Sequence, residues 1–443
     1  MNKITGLLIL ALALACQSGW ANTKDPYTDS FIAFYPLYEM ARLRFVTIEE
    51  QSNPRRHDLH SFKHLRRLLD HTDRTVTAPN NDTLYSSARL DLRLGPVVIE
   101  TPGIRDRYYS LQFMNFYTDN VAILGKRANG EGPMKIAVIG PGWKGSMPEH
   151  THTVISDTND MWLLIRILVD GPADISAVAQ IQNAFRINAP GRPEAYPKQL
   201  LNPPKHPSPE QFLAVVNEFL ERNPAKGKMA DHLKTANGFG LRAGKKNAWP
   251  DLPEAVRANW QQKWAIAWTA LNQASTLRAK IVQGWEYPPS EVGQWNDNYL
   301  LRATVALRGI AALDPSEALY LSTFVDINGE QLIGSKKYRL RIPPGGLPVG
   351  GFWSVTMYEV LEDGRFFLTE NSLNRYSVGN RTTGLSANAD GAIDIDVQHA
   401  EPANKSNWLP APKGQFRLTL RAYLPATQLV DAAIALPRVE FTE

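Results

Sequence analysis

The chain has 443 residues, 43% of them apolar, with 48 Lys and Arg against 44 Asp and Glu and a net charge of +4. That near-balance excludes a nucleic-acid partner held by bulk charge, and the length allows two to three domains whose cores need no covalent staples. The single cysteine, Cys16, excludes a disulfide within the chain and a thiolate metal site.

The first 21 residues, "MNKITGLLILALALACQSGWA", carry Lys3, an apolar run from Ile4 to Ala15 and then Gly19-Trp20-Ala21. This reads as a secretory signal peptide cleaved after Ala21, which predicts a periplasmic or secreted protein. The alternative is lipoprotein processing at Cys16, disfavoured by the bulky Leu14 two residues before it. The run is too short for a good transmembrane span and no later segment is apolar enough, so no stable membrane span is expected.

Residues 27–50 read as a helix with an apolar stripe of Phe31, Phe34, Leu37, Tyr38 and Ala41, and a kink at Pro36. From 83 to 170, "VVIE", "YYSLQFMNFY", "KIAVIG" and "MWLLIRILV" read as strands. The stretch 186–208, rich in Pro and Asn, reads as a linker. In "SPEQFLAVVNEFLERNP", Ser208 as N-cap, Pro209 and Gln211 predict a capping box, and Phe212, Val215, Val216, Phe219 and Leu220 share one face. A second helix is expected from Pro253 to Gln283, stopped by Gly284, and a third over 297–313. Strands return in "KYRLRI", "FWSVTMYEV", "RFFLTE", "AIDIDV" and "FRLTLRAYLP". Strand blocks separated by a helical block predict an α+β protein: two antiparallel β-sandwich or jelly-roll domains, 22–185 and 319–443, with a linker and helical domain at 186–318 between them.

The motifs are mostly local. "GPGWKG" matches G-x-G-x-x-G, but no helix opens after it, so a Gly-Pro hairpin turn is expected in place of a dinucleotide site. His57, His60 and His64 would share a face if 57–70 were a helix. Arg56, Lys63 and Arg67 beside them point to a solvated basic helix, with His71 beyond it. His150 and His152 lie two apart on one strand side, as metal ligands do, but two ligands are not a site. No metal and no cofactor are therefore expected. Asp390, Asp394 and Asp396 put paired carboxylates on a strand, about 7 Å apart, between the spacings of retaining and inverting glycosidases. Trp260, Trp264 and Trp268 read as core at helical spacing, with a carbohydrate platform as the alternative. No nucleophile elbow, zincin motif or P-loop is present.

Two blocks carry a resemblance. "APNNDTLYSSARLDLRLGPVVIETPGIRDRYYSLQFMNFYTDNVAILGKR", with "VIGPGWKG" and "DTNDMWLLIRILVDG", resembles the bacterial family called domain of unknown function 1254. "GGFWSVTMYEV", "NSLNRYSVGNRT" and "NWLPAPKGQFRLTLRAYLP" resemble domain of unknown function 1214. The resemblance implies two β domains with helices between them and no settled activity. It marks Asn80, Asp82, Tyr85, Arg107, Tyr108 and Arg166 in the first block, and Trp353, Asn371, Arg375, Tyr376, Asp390, Asn407 and Trp408 in the second. Arg107 beside Tyr108 and Tyr109 offers a cation with stacking planes. Asp82 either pairs with such an arginine or caps its own turn.

The leading expectation is a small-molecule or saccharide-like ligand in a groove lined by Arg, Tyr, Trp and Asn. The rivals are a hydrolase, lyase or isomerase using Asp82 or Asp390 as acid/base, and a structural envelope protein. Homo-oligomerisation stays open.

Overall fold

The computed structural model describes residues 25–74, 77–274 and 280–442, so the expected leader lies outside the described residues. Helix α1 (Pro26–Ile48) comes first, then β1 (Lys63–His64), β2 (Thr83–Asp91), β3 (Val97–Thr101), β4 (Tyr109–Asn115) and β5 (Asn120–Gly125). After α2 (Lys126–Asn129) come β6 (Met134–Ile139), β7 (His152–Ile155), β8 (Asp160–Leu168), α3 (Ile175–Ala184) and β9 (Arg186–Asn188). The middle holds α4 (Pro209–Arg222), α5 (Gly227–Ala236), α6 (Glu254–Ala274), β10 (Ile281–Val282), β11 (Trp285–Glu286) and α7 (Tyr299–Arg308). The rest is β12 (Ala318–Thr323), β13 (Tyr338–Ile342), β14 (Trp353–Val360), β15 (Phe366–Leu368), β16 (Ser377–Gly379), β17 (Ile393–Gln398), β18 (Trp408–Pro410), β19 (Phe416–Tyr423), α8 (Thr427–Val430) and β20 (Val439–Phe441).

The strands form four sheets. β1-β2-β8-β4-β5 is antiparallel throughout, and β7-β6-β3-β9 is antiparallel except for the parallel β6–β7 pair. Leu84, Ile165 and Ile167 of the first join Val97, Ile99, Ile136 and Val138 of the second in one apolar core. In the C-terminal region β10-β11-β12-β19-β14-β15, with β16 also on β14, shares a core with β18-β17-β13-β20 through Leu321, Val355, Leu420, Leu340, Ile395 and Val397. Every sheet is an open strand order and none closes into a barrel. The molecule is a mixed α/β protein with antiparallel-rich sheets.

Local sequence explains the helices. Ser208 Oγ accepts from Gln211 N at 3.2 Å while Gln211 Oε1 accepts from Ser208 N at 2.9 Å, so the capping box is complete. Helix α1 is buried on nearly every side, from Phe31 through Ala41, which makes it the axis of the helical layer. Trp264 and Trp268 of α6 set their rings 5.0 and 5.1 Å from Phe31, and Trp260 is wholly buried. The tryptophan row is core, as expected.

Four expectations change. Residues 57–70 form no helix: apart from β1 the stretch is irregular, His57 is buried and His60 sits at φ +58°. Helix α6 is described over Glu254–Ala274 and does not reach Gln283, because Ile281–Val282 is strand β10; Gln283 and Gly284, both left-handed, make the turn between β10 and β11. The third helix is shorter, Tyr299–Arg308, started by Asn298, whose side chain accepts from Leu301 N. The glycine loop at 140–145 is no hairpin, because β7 runs parallel to β6 and the chain must cross over.

Loss of the Ser208 cap, in Ser208→Ala, should cost about 1 kcal/mol in chemical denaturation, with Gln211→Ala costing less. Burial lowers the imidazoles of His57 and His60 from 6.5 to about 4. The unfolded chain therefore binds more protons between those values. Stability should be level above pH 6.5 and fall as pH drops toward 4, by roughly 2–3 kcal/mol per histidine. Comparing His57→Gln with the parent over that window checks the sign: the variant's slope should be shallower.

Candidate functional site

Strands β14 and β19 alternate. Val355, Met357, Leu418, Leu420 and Ala422 face the apolar core, and Ser354, Thr356, Tyr358, Thr419, Arg421 and Tyr423 face the other way. Those polar residues are nevertheless buried. What covers them is the turn at 78–82 and the first antiparallel sheet. β8 shows the matching split, with Leu163, Ile165 and Ile167 in its own core and Arg166 on the opposite face. The two family-like blocks thus meet along one buried polar seam.

The turn before β2 is bonded across this seam at almost every residue. Tyr358 Oη donates to the Pro79 carbonyl at 2.7 Å, and Asn80 Nδ2 donates to Tyr423 Oη at 2.6 Å. Asn80 Oδ1 accepts from Asp82 N at 2.7 Å, so Asn80 builds the turn and Asp82 does not. Asp82 Oδ2 instead accepts from Ser354 Oγ at 2.7 Å, and Oδ1 from Ser377 Oγ at 3.3 Å. Burial pushes the Asp82 carboxyl above the usual carboxylate range, while the nearby Arg421 guanidinium and the two serine bonds pull it down. Arg421 itself bonds Thr356 Oγ1 and Tyr358 Oη and lies 3.5 Å from the Ala78 carbonyl.

Arg166 occupies the junction of the first sheet, the helical layer and the C-terminal sheet. Its Nη1 donates to Gln112 Oε1 at 2.8 Å and its Nη2 to the Ala311 carbonyl at 2.7 Å. The guanidinium carbon lies 5.4 Å from the centre of the Tyr85 ring. Arg166 is 5% exposed, its Nε has no hydrogen-bond partner, and among the described residues no carboxylate forms an ion pair with it. Ala311 and Ala78, whose carbonyls face the two guanidinium groups, hold φ of +65° and +49°. Left-handed backbone in alanine is uncommon and carries strain.

Tyrosines surround this cation. Tyr320 Oη and Tyr423 Oη are 3.3 Å apart, and burial raises both phenols, so both keep their protons at neutral pH. Tyr423 Oη already accepts from Asn80. Tyr320 Oη donates to Tyr423 Oη, so the Tyr423 O–H is left without an acceptor among the described residues. The Tyr85 hydroxyl has no hydrogen-bond partner among the described residues, and Tyr85 and Tyr320 are only half-buried. Tyr108 is committed elsewhere: it donates to Glu317 Oε1 at 3.0 Å, while Arg127 holds Oε2 at 2.6 Å. The seam therefore gathers Asn80, Asp82, Tyr85, Tyr108 and Arg166. Sequence reading missed Tyr320, Ser354, Tyr358, Ser377, Arg421 and Tyr423, although the alternation in "FRLTLRAY" was the available signal.

The other marked residues lie outside the seam, except Tyr376, which packs beside Tyr358 and Ala78 at its edge. Arg107 forms a two-pronged ion pair with Asp174, at 2.6 and 3.0 Å, and Tyr109 points into the first core, because neighbours on a strand face opposite ways. No stacked Arg-Tyr-Tyr platform forms. Trp353 is buried in the C-terminal core. Asn371 closes its own turn by accepting from Leu373 N and Arg375 N. Arg375 caps the carbonyls of Lys405, Ser406 and Trp408 at 2.7, 3.1 and 2.9 Å. Trp408 donates to the Gln398 carbonyl, Tyr376 Oη meets His71 Nδ1 at 2.8 Å, and the Asn407 amide donates to the Ser386 and Asp394 carbonyls. Asp390 is exposed and shares Arg341 with Asp394. His150 and His152 use their Nδ1 atoms locally, on Pro148 and Thr151, and among the described residues no group of three His, Cys, Asp or Glu is placed to hold a metal.

The fold recurs in a crystal structure, that of the VPA0106 protein from Vibrio parahaemolyticus: TM-score 0.72 and 22% identity, over 95% of this chain and 99% of that one. An uncharacterised protein from Burkholderia cenocepacia is more distant, with a TM-score of 0.44 and 14% identity over 94% of this chain and 88% of its own. No curated protein matches the chain significantly. Two family models do: "Protein of unknown function (DUF1254)" over residues 59–189 and "Protein of unknown function (DUF1214)" over residues 317–427. The seam is thus where these two regions meet, and the chain belongs to the proteins that carry DUF1254 followed by DUF1214.

Proposed function

We propose that the chain binds a small molecule or saccharide-like ligand bearing an acidic group, and that the group docks against Arg166, Tyr85 and the Tyr320–Tyr423 pair. One observation carries this: buried Arg166 has an unpaired Nε and no ion-paired carboxylate, and two of the phenols beside it, Tyr85 and Tyr423, have O–H groups without an acceptor. Leaving a buried guanidinium uncompensated is expensive, and an arriving anion removes that cost. In this reading the two β units, taken as sandwich-like or jelly-roll supports, hold the site between them. The apolar leader would deliver the protein to the periplasm or the outside. A second reading, an enzyme using Asp82 as acid/base, is favoured by the raised Asp82 carboxyl alone.

Calorimetry should show heat of binding for glucuronate and none for glucose at the same concentration. Equal binding of the two would sink the acidic-group assignment. Arg166→Gln should abolish glucuronate binding, and Tyr85→Phe, with an unchanged melting curve, should weaken it about tenfold, the worth of roughly 1.4 kcal/mol. The two candidate carboxylates should also separate in stability. Asp82→Ala leaves Arg421 buried without its compensating charge and should cost about 3 kcal/mol. Asp390→Ala removes an exposed pair and should cost under about 0.5 kcal/mol.

A further inference from the structure

A cavity of about 410 Å3 lies away from the seam, where the loops around Tyr117 and Asp157 meet the N-terminal ends of α5 and α7. This is within the usual range for small-molecule sites. Its charges are grouped in a particular way. Arg302 Nη2 donates to Asp119 Oδ1 at 2.8 Å, and Lys228 pairs with Asp297. Among the described residues Lys226 and Asp157 form no ion pair, though both line the cavity. The walls thus carry one surplus cation and one surplus carboxylate.

Two further details sharpen this. Arg302 is 7% exposed and its Nε has no partner, which leaves a buried donor on a residue that lines the cavity. On the acidic side, Asn115 Nδ2 donates to Asp157 Oδ1 at 2.8 Å and to Asp119 Oδ2 at 3.2 Å, so one amide holds the two carboxylates together. Burial pushes the Asp119 carboxyl upward against the pull of Arg302, with Asp157 adding to the rise. A second cation would relieve that repulsion. Met229 and Tyr117 add apolar surface to the lining.

We propose that this cavity is a second binding site, independent of the seam, for a small zwitterion of the α-amino-acid class. Its carboxylate meets Lys226 and Arg302 Nε, its ammonium group meets Asp157 and Asp119, and an apolar side chain lies against Met229 and Tyr117. A neutral sugar would leave both surplus charges uncompensated. A simple anion would serve Lys226 and add repulsion at Asp157.

The test is a thermal-shift and calorimetric screen of the full-length protein with the proteinogenic amino acids. For the strongest binder, its N-acetyl and carboxamide derivatives are measured beside it. The expected result is binding of one or more apolar amino acids and at least a tenfold loss for each singly charged derivative. Lys226→Ala and Asp157→Ala change exposed residues and should keep the parent melting curve. Each should weaken binding at least tenfold, while Arg166→Gln should leave it unchanged. No binding by any amino acid, equal binding of the derivatives, or parental affinity in either cavity variant would overturn the proposal. The unchanged Arg166→Gln response separates this outcome from failure of the seam site.

Discussion

A sheet whose alternate residues are polar, yet whose two faces are both covered, constrains everything else in this protein. β14 and β19 send Ser354, Thr356, Tyr358, Arg421 and Tyr423 toward the first β unit, and those groups are buried with it. Every such donor and acceptor needs a partner, because a buried orphan costs more than an ordinary hydrogen bond contributes. The turn at 78–82 supplies most of them. Pro79 offers a carbonyl, Asn80 an amide, Asp82 a carboxylate, and Ala78 turns left-handed to face its own carbonyl toward Arg421.

The matching is complete on the Asp82 side and incomplete on the Arg166 side. Around Asp82, each carboxylate oxygen has a serine hydroxyl and a guanidinium lies close by. Such saturation suits a lock between two regions. Around Arg166 the donors outnumber the acceptors, and two of the tyrosines keep open surface. The same seam thus contains a structural half and a half left short of negative charge.

Much of the fold was legible in the sequence because it rests on local chemistry. The Ser208–Gln211 box, the tryptophan row and the long strands needed only spacing and propensity. The errors have physical causes. His57, His60 and His64 suggested a helix by periodicity, but the chain there is held by contacts distant in sequence, such as His64 to Ser86 at 2.7 Å. Arg107, Tyr108 and Tyr109 looked like one platform, but strand alternation sends them to different places. The site was half legible. The polar turn from Asn80 to Tyr85 was visible, but its partners were hidden as ordinary outward-facing strand residues. Nothing in "FRLTLRAY" says that its polar side is covered by another region of the chain. The cavity was invisible for the same reason, since Asp119, Asp157, Lys226 and Arg302 are brought together only by packing of the helical layer against the first β unit.

The central claim is that the buried Arg166 guanidinium, which has no ion-paired carboxylate, takes its counter-charge from a ligand. The most direct measurement is an anomalous difference map from crystals of the protein soaked in bromide. The account predicts a bromide peak within hydrogen-bond distance of Arg166 Nε and the Tyr85 hydroxyl. Bromide peaks elsewhere on the protein, with none at that position, would contradict it.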